Sequence, residues 1–152
     1  GERYEESWEQ LGSIPKNSCA VSKLGAKILS ELNAPVDAAH YYRVAIGHCG
    51  RSKGMDRGLL VARLKSGDAE AIPEAMTVLT ETPKNSGMRR LLMHALAASN
   101  QTELLYGHYE YLILESQATL EDYQDLQRVK RGLPPNHLPL EIPPSILGET
   151  VK

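Results

Sequence analysis

Three turn-like positions, Asn33, Gly67 and Gln101, recur along this chain with a spacing of 34 residues. Each lies between two stretches in which apolar residues follow the three- and four-residue spacing of an amphipathic helix. Repetition at a period of this size is typical of helical arrays, whose units bury a continuous core only by stacking on one another. The sequence therefore predicts a series of helix–turn–helix hairpins.

The composition supports a helical protein and argues against several classes of function. The 152 residues include seven Tyr, one Trp and no Phe, so the apolar side chains are mainly aliphatic. Period-two runs of β-branched and aromatic residues, which indicate strands, do not occur, and we expect an all-α fold. The net charge of −2 gives no overall attraction to nucleic acid or to anionic membranes. No apolar run approaches the ~18 residues that a membrane-spanning helix needs.

Capping residues set the expected helix boundaries. Thr119 and Asp122 match a capping box, and Ser86 is a suitable N-cap for the helix after it. Asp56 is the expected N-cap of the first helix in the second hairpin. We therefore expect one helical domain, 1–132, followed by a tail, 133–152. The parts of this domain are an N-terminal segment 1–16, hairpins 17–50, 55–82 and 86–117, and a capping helix 119–132.

The second helix of each predicted hairpin repeats a pattern of small or apolar residues. The members are Ala38, Tyr42 and Ala45, then Ala71, Ala75 and Val78, then Leu105, Tyr109 and Leu112. The pattern resembles the A-x-x-x-Y-x-x-A signature of tetratricopeptide (TPR) repeats, over about residues 19–117. This resemblance implies about three hairpins in a short right-handed array, capped by the helix at 119–132. A bundle of six or seven helices is the alternative, and both architectures place the same residues in the core.

In TPR arrays the first helices of the hairpins line a concave groove that holds a partner segment. The resemblance therefore implies a non-catalytic protein-binding or assembly module without a cofactor. The positions that resemble the groove face are Lys23 and Lys27, Arg57 and Val61, and Leu91 and Ala95. Such a groove favours an acidic or amphipathic protein segment as its ligand.

The two cysteines have two interpretations. Cys19 and Cys49 lie equally far from the turn at Ala34, so an antiparallel hairpin brings them together at its open end. A disulfide there indicates a periplasmic or secreted protein. However, Cys19 lies nearly opposite the apolar stripe of its helix, which favours two separate free thiols and a cytoplasmic protein. A zinc site is disfavoured because the chain lacks a C-x-x-C motif.

Other motifs are weaker. Glu115-Ser116 is similar to the Glu-Ser pair of lytic transglycosylases, so an enzyme or accessory domain that acts on the cell wall is the second hypothesis. The basic loop at 50–54 lacks the ending of a P-loop and is interpreted as a solvated connection. Lys84, Arg89 and Arg90 form a small basic patch, which is expected to be solvated. A nucleic-acid binder is the third hypothesis.

The composition changes after residue 132. Residues 133–152 contain five of the nine prolines, with apolar residues between them. We expect an extended segment that is too apolar to be fully solvated. Three arrangements stay open, which are docking on its own domain, docking on a second copy in a homo-oligomer, and binding to a larger assembly.

Overall fold

Helices form nearly all of the regular structure. The computed structural model describes residues 19–138 and Ile146. Its helices are α1 (Cys19–Glu31), α2 (Pro35–Cys49), α3 (Lys53–Lys65), α4 (Ile72–Glu81), α5 (Ser86–Ala98), α6 (Thr102–Leu114) and α7 (Leu120–Lys130). A 3₁₀ turn, Ala69–Ala71, precedes α4, and no strand occurs among these residues. The all-α prediction is confirmed.

The helix starts follow from local hydrogen bonds. The predicted capping box of α7 is present, with both of its reciprocal bonds. Two predicted caps are wrong by a few residues. Asn85 caps α5 in place of Ser86, and Ser52 caps α3 in place of Asp56. Asp56 instead accepts a hydrogen bond from Arg51, because a side chain that is already inside the first turn cannot cap it.

Residues in the left-handed backbone region end several helices. Asn33 has φ of 56°, Gly67 of 79° and Asn100 of 58°. Glycine and asparagine tolerate this conformation best, which explains why they occupy the turns. The predicted turns at Asn33 and Gly67 are confirmed, and the third lies one residue before Gln101.

The described residues form two compact units, and the first contains α1, α2, α3 and Ile146. Helix α2 packs against both α1 and α3. One core cluster consists of Leu29, Ala34, Ala38, Ala39 and Ala62. Gly58 of α3 lies under the ring of Tyr42, where an added Cβ atom would stand 2.5 Å from that ring. The Tyr42 ring would therefore have to shift to accommodate a side chain at position 58.

The second unit contains residues 67–138, in which α4 packs against α5, α5 against α6, and α6 against α7. Its fully buried side chains include Leu92, Met93, Leu96, Leu105, Tyr109 and Leu112. The boundary between the units follows Ser66, inside the predicted hairpin 55–82, and the stacking of three hairpins stays a prediction. The predicted segment 1–16 and most of the tail lie outside the described residues.

Candidate partner-binding surface

Four of the predicted groove residues lie in the first unit. Lys23 and Lys27 are exposed on α1, one helical turn apart, while the opposite side of α1 is buried. Arg57 is exposed and Val61 is half-buried on α3, again one turn apart. Leu24 lies between the two lysines and is 47% exposed. These residues give α1 and α3 a cationic surface with apolar contributions.

One small cleft in the first unit is lined by residues of α1, α2 and α3. Ser30 of α1, Pro35 of α2, and Val61 and Lys65 of α3 are among its lining residues. Short connections make α1 and α3 both antiparallel to α2, so the two helices run in the same direction. Lys27 and Arg57 therefore both lie about one turn before the cleft. We call Lys23, Lys27, Arg57 and Val61 the cationic surface.

The remaining two predicted groove residues lie on α5 in the second unit. Leu91 is half-buried, but Ala95 is completely buried. The buried face of α5 is broad, extends from Met88 to Ala97 and includes Ala95. The prediction that Ala95 lines a binding face is therefore corrected, because this side chain lies in the core.

The cysteines form a disulfide at the open end of the first hairpin. Cys19 is the first residue of α1 and Cys49 the last of α2, with their Cα atoms 5.2 Å apart. The bond closes the hairpin opposite its turn, as the symmetry about Ala34 predicts. Both thiols are used in the bond, so neither is free to bind zinc. A disulfide is compatible with an extracytoplasmic location.

Arg90 in the second unit is half-buried and forms an ion pair with a buried carboxylate, which corrects the expectation of a fully solvated patch. Its guanidinium donates to both carboxylate oxygens of Asp122, at 2.9 and 2.7 Å, and to the carbonyl oxygen of Gln117 at 3.2 Å. Burial alone would raise the pKa of Asp122. The hydrogen bonds from Arg90 and Thr119 outweigh burial and lower this pKa. The pair fixes the start of α7 against α5.

Arg89 is buried more deeply, with 6% of its surface exposed. It donates to the carbonyl oxygen of Pro83 at 2.9 Å and to Nδ1 of His108 at 2.7 Å, and its guanidinium lies 3.6 Å from the ring centroid of Tyr111. An arginine can only donate, so Nδ1 of His108 accepts and His108 is neutral with its proton on Nε2. Burial, with the charge of Arg89, lowers the pKa of His108 to about 4.

We predict that His108 makes the second unit less stable in mild acid. The unfolded chain binds a proton at His108 near the ordinary pKa of 6.5, whereas the folded chain binds it only near 4. The contribution of neutral His108 to the free energy of unfolding is therefore complete above pH 6.5 and falls as the pH decreases toward 4. We expect a loss of about 1 kcal/mol between pH 7 and about 5, a value reduced for partial solvent exposure.

Urea unfolding at the two pH values measures this effect. His108→Asn is the matched variant, because its amide oxygen keeps an acceptor near the Nδ1 position and does not titrate. The stability of this variant should vary less with pH than that of the parent chain. Equal pH dependence in the two proteins would contradict the prediction.

A buried carboxylate holds the segment that follows α7. Asp125 is 1% exposed, and it accepts hydrogen bonds from the backbone N–H of Asn136 at 2.8 Å and of His137 at 3.1 Å. The His137 imidazole donates to it from Nδ1 at 2.8 Å, and the Tyr109 hydroxyl lies at 3.4 Å. Burial, with the charge of Asp125, raises the pKa of Tyr109, so the hydroxyl stays protonated. Residues 133–138 therefore dock on their own chain.

A second buried aspartate holds a tail residue in the first unit. Asp37 on α2 is completely buried and accepts a hydrogen bond from the backbone N–H of Ile146 at 2.8 Å. Burial, followed by the charge of Asp37, raises the pKa of Tyr41 one turn along the helix. Neither aspartate is among the site residues predicted from the sequence. The sequence contains a signal for their burial, because both aspartates lie on the apolar side of an amphipathic helix.

Comparisons with protein-family models, curated proteins and solved structures found no match to this chain. Among the described residues, no helix combines the length and the hydrophobicity needed to cross a membrane. The helices and the Cys19–Cys49 bond define the class of the described part of the chain, which is an all-α protein with a hairpin closed by a disulfide.

Proposed function

We propose that the protein is a non-catalytic interaction or assembly module that binds an acidic or amphipathic segment of a protein partner on the cationic surface. The observation that supports this most directly is the exposure of Lys23, Lys27 and Arg57 on two helices that run in the same direction. Leu24 and Val61 add apolar contacts beside these charges. Alternating charge and apolar area on a helical face suits an amphipathic ligand.

A second observation supports peptide binding in general. In each unit a buried aspartate accepts a hydrogen bond from the backbone N–H of a tail residue, Ile146 for Asp37 and Asn136 for Asp125. Helices of both units therefore already bind backbone groups of tail residues. A partner segment would use the same kind of contact, in which backbone groups bind side chains presented by helices.

We predict that charge reversal at the cationic surface weakens binding of an acidic peptide. The probe is a short fluorescein-labelled peptide of alternating glutamate and leucine, with a lysine and leucine peptide as the opposite-charge probe. The Lys27→Glu/Arg57→Glu variant should bind the acidic probe at least about tenfold more weakly, as measured by fluorescence anisotropy. Added salt should weaken binding by the parent chain.

The control variant is Arg43→Glu/Lys53→Glu, which changes the net charge by the same amount at exposed positions of the same unit. Glutamate at position 53 also suits the start of α3. Equal loss of affinity in both variants would mean that the change in net charge alone weakens binding. That result would contradict binding at the cationic surface. Unchanged affinity after the Lys27 and Arg57 substitutions would contradict the proposal directly.

A further inference from the structure

The face of α7 binds residues 133–138 as a receptor binds a peptide. Arg128 donates from Nε to the carbonyl oxygen of Pro134 at 2.8 Å, and Asp125 accepts the two N–H groups that follow Pro135. Pro135 itself is buried. The α7 face thus provides a donor for one carbonyl, an acceptor for two N–H groups and a buried position for a proline ring. The backbone bonds set the direction of the bound segment, and the buried Pro135 and the imidazole of His137 add contacts that depend on its sequence.

The bound segment lies at the surface and follows the glycine after α7, where the Leu133 N–H donates to the Arg128 carbonyl oxygen at 2.9 Å. Leu133, Pro134, Asn136 and His137 are exposed, so most of the segment can leave without opening the core. Gly132 separates it from α7 and has φ of 76°. A glycine in this left-handed conformation can redirect the chain at little steric cost.

An empty receptor is unfavourable. If the segment leaves, the Tyr109 hydroxyl at 3.4 Å is the one hydrogen-bond partner that Asp125 keeps among the described residues, although Asp125 is almost completely buried. A buried carboxylate without donors costs much more than a paired one. A chain whose segment is released therefore needs an equivalent segment to fill the site, and residues 133–138 are the sequence that this structure shows to fit.

We propose that the Asp125 face of α7 also takes residues 133–138 from a second copy of this chain. Reciprocal exchange would give a two-fold dimer in which both receptors are filled by the same contacts. The neighbouring segment of the same chain has an effective concentration on the order of millimolar, so exchange requires high protein concentration or a weakened internal contact. This proposal is independent of the cationic surface.

Complementation between two full-length variants tests the exchange. Asp125→Asn has a defective receptor and an intact segment, because the amide cannot accept all the bonds of the carboxylate. Asn136→Pro has an intact receptor and a defective segment, because proline lacks the N–H donor. Each variant alone should be monomeric by native mass spectrometry, and the mixture should give a one-to-one heterodimer. A mixture that stays monomeric would overturn the proposal.

Two further measurements keep the test decisive. If Asn136→Pro does not fold, His137→Ala replaces it, since this change removes the imidazole donor and keeps both N–H groups. A fluorescein-labelled peptide with the sequence of residues 133–138 should bind Asn136→Pro at least about tenfold more tightly than the parent chain, whose own segment competes. Peptide binding without a heterodimer would overturn the second-copy proposal and favour a segment from another protein.

Discussion

Replacing both cysteines, as Cys19→Ser/Cys49→Ser, should lower the free energy of unfolding of the first unit by about 3–4 kcal/mol. The disulfide joins residues separated by 30 positions, and opening a loop of this size restores conformational freedom mainly to the unfolded chain. The affected helices, α1 and α2, are two of the three helices described in the first unit. A loss of this size is a large fraction of the stability of a small domain.

Hydrogen exchange resolves the effect by unit. Amides in α1 and α2 should lose protection in the double variant, while those in α5 and α6 report whether the second unit changes. The parent chain treated with reductant is the matched control, because it loses the bond without any substitution. Equal stability of the parent chain with and without reductant would contradict the prediction. Free-thiol counting on unfolded protein confirms the oxidation state in each sample.

Helix positions were largely predictable because their signals are local. Apolar spacing and caps such as Thr119 act within a few residues of where they appear in the sequence. The disulfide was predictable for a related reason, since hairpin symmetry about Ala34 needs only the position of one turn. An ideal helix places Cys19 opposite the apolar stripe, but Cys19 is the first residue of α1 and its side chain bonds to Cys49.

The buried polar groups were not predictable in the same way. Arg89, Asp37 and Asp125 belong to residue types that are mostly exposed, and only their partners make burial tolerable. One partner of Asp37 lies 109 residues away, at Ile146. Spacing within a helix reveals that a charged residue lies on the apolar face, but it does not reveal which distant group satisfies it. Ala95 was misplaced because the buried face of α5 is broader than a single stripe.

Removing the donors to Asp125 should produce the second large effect. The double variant Asn136→Pro/His137→Ala deletes one backbone N–H and the imidazole, so Asp125 keeps the N–H of residue 137 and the Tyr109 hydroxyl. We expect the free energy of unfolding of the second unit to fall by about 2–3 kcal/mol, because a buried charge loses two of its donors. Urea unfolding, with hydrogen exchange of amides in α6 and α7, measures this loss.

The control is Asn136→Ala/His137→Ala, which keeps the backbone N–H at position 136, so its difference from the double variant isolates one hydrogen bond. Introducing Asp125→Asn into the double variant should then recover part of the lost stability, whereas the same change in the parent chain should destabilise it. This reversal of sign follows because a neutral amide is easier to bury than an unsatisfied carboxylate. If Asp125→Asn lowered the free energy of unfolding equally in both backgrounds, the docking of residues 133–138 would not depend on the charge of Asp125. The docking of residues 133–138 would then depend on other contacts, such as the burial of Pro135, the bond from the Arg128 side chain and the bond from the Leu133 N–H to the Arg128 carbonyl oxygen.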